Sequence, residues 1–108
     1  MKFNLTSKRI SEANIQAEVY HRLRLAGITC YLEYKYQNCR FDMVIVKGDE
    51  IILIVEFKSR IKQIGKINTK GKQYQKYTAF GVPVLYCTHQ SEIEDTMRVI
   101  RKYHSYNV

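Results

Sequence analysis

A chain of 108 residues, 45% hydrophobic and 26% charged, is expected to form one domain over 1–108 with a single core. Its 18 Lys and Arg against 10 Asp and Glu leave a net charge of +8, which favours a polyanionic partner, nucleic acid or an anionic membrane surface. The longest apolar run, Ile51 to Val55, is far too short to span a bilayer, no signal-peptide pattern opens the chain, and Cys30, Cys39 and Cys87 lack Cys-x-x-Cys spacing. The expectation is therefore a cytoplasmic protein whose cysteines are buried in the ordinary way, with no zinc site.

Residues 1–8 are polar and basic without periodicity and read as a flexible arm. From about Arg9 to Ala26 the pattern is helical, with Ile15, Val19, Tyr20, Leu23 and Ala26 on one stripe and Gly27 as the C-terminal cap. Glu18 flanks that stripe, where pairing with Arg22 four residues on is a sufficient role. Ile28 to Tyr36 alternates as a half-exposed strand near a sheet edge, and Gln37 to Cys39 turn the chain. Arg40 suits either a phosphate contact or an ordinary surface charge.

The stretch from Arg40 to Arg60 organises the rest. RFDMVIV, a KGDE turn and IILIVEFKSR read as two adjacent strands interrupted by Asp42, Glu56 and Lys58. Glu56 and Lys58 are two apart and leave one face of their strand. A three-residue loop, Gly48 to Glu50, pairs Lys47 with Ile51 and sets Asp42 opposite Glu56. A two-residue turn at Gly48-Asp49 would place the carboxylates on opposite faces. The longer loop is the expectation adopted. Facing carboxylates repel, and a hard divalent cation relieves them: Mg²⁺ or Mn²⁺ needs only one or two carboxylates plus water and phosphate oxygens. Lys58 would orient or activate the attacking water. A buried carboxylate–lysine ion pair is the alternative.

Beyond Lys58, a basic loop over 59–72 carries Arg60, Lys62, Lys66, Lys70 and Lys72, followed by Lys76, and no acid occurs from Phe57 to Ser91. Charge of one sign beside the candidate site suits a phosphate backbone, although a solvated loop has the same composition. Lys72 to Phe80 reads as a short helix with Tyr74, Tyr77 and Phe80 inward, closed by Gly81. Val82 to Cys87 is a strand with Pro83 near its start. Ser91 and Glu94 form a capping-box pattern at the head of a last helix with Ile93, Met97 and Ile100 on its apolar stripe.

Asp42 followed by Glu56-Phe57-Lys58 resembles the signature of the PD-(D/E)XK nucleases, and the order of predicted elements is similar to their αβββαβ core with an added C-terminal helix. The resemblance covers nearly the whole chain and extends to the compact VRR-type and Holliday-junction-resolvase-like branches. It departs from the former because Arg40-Phe41, not Gly-x-Pro, precedes the acid. The resemblance implies an α/β, restriction-endonuclease-like fold: a mixed four-stranded sheet flanked by helices. It also implies a Mg²⁺- or Mn²⁺-dependent DNA endonuclease, structure-specific for junctions or branches or of phage or homing type. A chain this small offers one site, so cutting both strands or a junction would call for a homodimer or higher homo-oligomer. Asp42, Glu56 and the backbone carbonyl of Phe57 would hold the metal, with Glu18 through a water. Lys58 would serve the water, Gln73 would order the site, and Arg40, Arg60, Lys62, Lys66, Lys70, Lys72, Lys76 and Tyr77 would contact DNA. The alternative is a non-catalytic basic nucleic-acid-binding module on the same fold, its tyrosines serving as stacking surfaces.

Overall fold

The structure, a computed structural model, describes residues 7–58, 75–79 and 81–106. Along the chain come helix α1 (Ser7–Leu25) and strands β1 (Thr29–Tyr36), β2 (Cys39–Lys47), β3 (Glu50–Phe57), β4 (Gln75–Ala79) and β5 (Val82–Cys87). A 3-10 turn (Gln90–Glu92) then leads into helix α2 (Ile93–Tyr106). The strands form one mixed sheet in the order β1-β2-β3-β5-β4. β1, β2 and β3 are an antiparallel meander and β5 pairs parallel with β3, as the sequence predicts for the α/β class. Ser7 and Lys8, expected in the N-terminal arm, begin α1.

One expected element is different. Residues 75–79 are a strand antiparallel to β5, not part of a helix, so the sheet has five strands instead of four. The aromatic spacing of Tyr74, Tyr77 and Phe80 suits a helical stripe, but the open edge of β5 offers ladder bonds that helix propensity does not outweigh. Tyr77 and Lys76 lie on this strand. The basic loop over 59–72, with Arg60, Lys62, Lys66, Lys70 and Lys72, and Gln73 after it fall outside the described residues.

The main core fills one face of the sheet. Ile15, Val19 and Leu23 of α1 and Ile93, Met97 and Ile100 of α2 pack against Met43, Ile45, Leu53, Val55, Phe57 and Leu85. These are the helix stripes that periodicity predicts, except that Ala26 is exposed. A second, smaller cluster on the opposite face joins Val44, Ile54, Val84 and Tyr86. α1 ends where Gly27, at φ +77°, reverses the chain. There the Ile28 N–H donates to Leu23 O at 2.9 Å and the Gly27 N–H to Arg24 O at 3.1 Å, the Schellman pattern with its buried Leu23–Ile28 pair. At the same end of the sheet, where Val46 pairs with Thr29, Lys47 Nζ donates to His104 O at 2.5 Å, satisfying a free carbonyl in the last turn of α2.

The start of α2 also differs from expectation. Ser91 is exposed within the 3-10 turn, whose N-cap His89 makes no side-chain capping hydrogen bond; Glu92 instead reaches back and accepts from both Thr88 N–H and Thr88 Oγ1 at 2.9 Å. Thr88 is buried, so its two donors take precedence over the solvent-facing Ser91.

Candidate active site

The hairpin between β2 and β3 decides where the ionisable residues meet. Its turn has two residues: Lys47 pairs with Glu50, and Gly48 takes φ +67° at the first turn position. The expected three-residue loop is therefore corrected. Yet the inversion expected of a two-residue turn does not follow, because the register shifts between Ile45 and Val46. Val46 pairs with Ile51 but Ile45 pairs with Leu53, leaving Ile52 as a bulge. Ile52 and Leu53 in consequence both join the helix-side core. The extra residue restores the parity lost at the turn, so Met43 pairs with Val55 and Asp42 comes opposite Glu56.

At that point side chains replace the backbone ladder. The Asp42 N–H donates to Glu56 Oε2 at 3.1 Å, and the Phe57 N–H donates to Asp42 Oδ2 at 2.8 Å. Each carboxylate thus reaches across the gap between the strands to the other strand's backbone. Both acids are half-buried. Burial pushes the Glu56 carboxyl up to about 7; the adjacent Asp42 charge and a hydrogen bond to the Asp42 side chain add to this, while the Asp42 N–H and Lys58 oppose it.

β3 ends where Lys58 N–H donates to Cys87 O at 3.0 Å. Glu56 and Lys58 line a pocket of about 360 Å³ with Cys39, Arg40, Phe41, Val84 and Tyr86, on the face away from the two helices. Asp42 is absent from those walls and sits in the strand gap beside Glu56. Arg40 brings a second cation to the pocket and is itself held by Glu33, with Nη1 to Oε1 at 2.5 Å.

Glu18 is placed elsewhere. Its carboxylate accepts from Arg22 Nε at 2.8 Å, and Arg22 Nη1 continues to Glu94 at 2.6 Å, clipping α1 to α2. The residue of α1 that does approach the pair is Gln16, whose Nε2 lies 3.3 Å from Glu33 Oε2 and 3.5 Å from Asp42 O. Nothing in the sequence singles Gln16 out, since it stands beside Ile15 as one of many polar helix residues. Among the described residues no cluster of three or more His, Cys, Asp or Glu is gathered to hold a metal. Cys30 and Cys87 are buried as expected, whereas Cys39 is exposed at the pocket; a turn residue entering β2 has no core to enter.

Two carboxylates, a lysine on the same face as one of them and an arginine at the rim form a hard-oxygen site with cations around it. Such a set can bind a hard divalent cation and a phosphate ester together. Comparison of the chain with models of protein families, with characterised proteins and with solved structures gives no match. No described helix is long and apolar enough to cross a membrane.

Proposed function

We propose that the protein is a divalent-metal-dependent endonuclease that hydrolyses DNA phosphodiester bonds. The observation that carries the reading is the Asp42–Glu56 pair. Two half-buried carboxylates share one strand gap, and Glu56 resists ionisation there until a cation offsets the cost. Asp42 and Glu56 suit Mg²⁺ or Mn²⁺, which takes the rest of its octahedron from water, phosphate oxygens and a main-chain carbonyl. The Phe57 N–H points to Asp42, and a strand residue's carbonyl leaves on the same side as its N–H, which suits Phe57 for that ligand.

The metal would supply Lewis acidity at the phosphate oxygen and a lowered pKa for a bound water. Lys58, on the Glu56 face, positions the attacking water and offsets charge growing on the phosphoryl oxygens. Water oxygen bonds to phosphorus as the bond to the leaving sugar oxygen breaks, and the water proton goes to solvent or to the leaving oxygen. Arg40 at the rim holds a neighbouring phosphate. The net charge of +8, with no acid from Phe57 to Ser91, favours the polyanion in long-range encounter. One such site per chain cuts one strand, so cleavage of both strands or of a four-way junction calls for a homodimer.

The test is incubation with supercoiled plasmid, a four-way junction and a flapped duplex, in Mg²⁺, Mn²⁺ or EDTA. Metal-dependent cuts that disappear in Glu56→Ala and Lys58→Ala, with gel-shift binding retained, support the nuclease. Binding without cutting on every substrate would instead identify a nucleic-acid-binding module.

A further inference from the structure

The ladder between β1 and β2 is continuous except for one step. Tyr31 pairs with Val44 and Leu32 with Met43, then Tyr34 with Phe41 and Lys35 with Arg40; Glu33 and Asp42, which belong between them, do not pair. Glu33 takes φ +50°, in the left-handed region that side chains other than glycine, asparagine and aspartate rarely adopt. Strain of this kind persists only where the surroundings fix it.

The surroundings here are specific. The Glu33 carboxylate holds Arg40 through Oε1 at 2.5 Å and accepts from Gln16 Nε2 through Oε2 at 3.3 Å. The same Gln16 amide reaches Asp42 O at 3.5 Å. Released from β1, the Asp42 N–H is the group that Glu56 Oε2 accepts from. The kink in β1 thus lies at the step where the Asp42 backbone leaves its ladder to serve Glu56.

We propose that Glu33 and Gln16 form a brace that positions Asp42: Glu33 opens the β1–β2 ladder at that step, and together they fix the Asp42 backbone so that it and Glu56 hold a divalent cation. The cation-holding half of this proposal rests on the metal-site reading above. Both are positioning residues, acting on the metal through Asp42 and Glu56. The tie from Glu33 to Arg40 also keeps the phosphate-facing guanidinium in step with the carboxylates.

The test uses the full chain and two variants that spare the fold. Gln16→Ala puts a good helix former at a helix position, and Glu33→Asn keeps a side chain that tolerates positive φ while removing the carboxylate. Two readouts are compared: amide hydrogen exchange by NMR without metal, and Mn²⁺ binding by titration. The brace predicts that the Asp42 and Phe57 amides exchange about tenfold faster in each variant, while amides of the Val44–Ile54 pair keep wild-type rates. It also predicts about tenfold weaker Mn²⁺ binding in each. Asp42 and Phe57 amides that exchange at wild-type rates in both variants would overturn the brace. Loosened amides with unchanged Mn²⁺ affinity would overturn its positioning role. Wild-type protein that binds no Mn²⁺ would overturn the metal-site reading and with it the cation-holding half, a result separate from the amide measurement.

Discussion

Asp42 and Glu56 hold each other's strands: Asp42 N–H donates to Glu56 Oε2 at 3.1 Å, and Asp42 Oδ2 accepts from Phe57 N–H at 2.8 Å. The arrangement fixes two acids side by side in a place where a second negative charge is costly. It sets a stability cost that the cation would remove.

That cost has a pH signature. The Glu56 carboxyl moves from 4.5 in the unfolded chain to about 7 in the fold, so the native state binds the proton more tightly. Stability is therefore highest at low pH from this group, declines as pH rises through the interval between those values, and levels off above it. Glu56→Gln removes the effect. Thermal melts should show the variant more stable than wild type at pH 8 by roughly 1–3 kcal/mol, several degrees in Tm, with the gap closing towards pH 4.5. Equal melting at pH 8 would mean that Glu56 ionises without penalty.

Lys58 separates chemistry from assembly. Because it lines the pocket on the Glu56 face, Lys58→Met should reduce cleavage by about 100-fold or more while metal still raises the melting temperature. Single-turnover cleavage and a Mg²⁺ thermal-shift series measure the two properties on the same sample. Unchanged cleavage in that variant removes Lys58 from the reaction.

The basic segment after β3 makes a salt-dependence prediction. Replacing Lys62, Lys66 and Lys70 by Gln should weaken duplex binding and flatten the plot of log K against log salt by about one unit for each phosphate that is no longer neutralised. Fluorescence anisotropy at several salt concentrations gives the slope. An unaltered slope takes those lysines out of the interface.

Just before α2 the Glu92–Thr88 hydrogen bonds discriminate between two neighbouring residues. Glu92→Ala leaves both Thr88 donors without their acceptor and should cost about 1–2 kcal/mol in urea melts. Ser91→Ala, at an exposed position, should fall within about 0.5 kcal/mol of wild type.

Much of the meander is legible because RFDMVIV and IILIVEF are rich in β-branched residues and close on Gly48, and the two-residue spacing alone puts Glu56 and Lys58 on one face. The path by which Asp42 meets Glu56 is not legible. Every residue from Ile51 to Val55 is apolar, so alternation cannot mark Ile52 as the extra one, and the bulge emerges only from pairing across the hairpin. The strand at 75–79 is hidden for a related reason: its state depends on the edge of β5, a neighbour that local spacing does not encode. Glu33 looks like any charge on a half-exposed strand, and only the missed step opposite Asp42 gives it a role. Glu18 reads as a site residue through the resemblance alone, while its i+4 partner Arg22 already accounts for its placement here.

The most direct measurement is anomalous scattering from crystals soaked with Mn²⁺. One strong peak is expected, bridging the Asp42 and Glu56 carboxylates at about 2.0–2.3 Å and vanishing in Glu56→Ala. No peak there at Mn²⁺ concentrations that saturate any activity, or a peak held by other side chains, would contradict the metal-dependent nuclease.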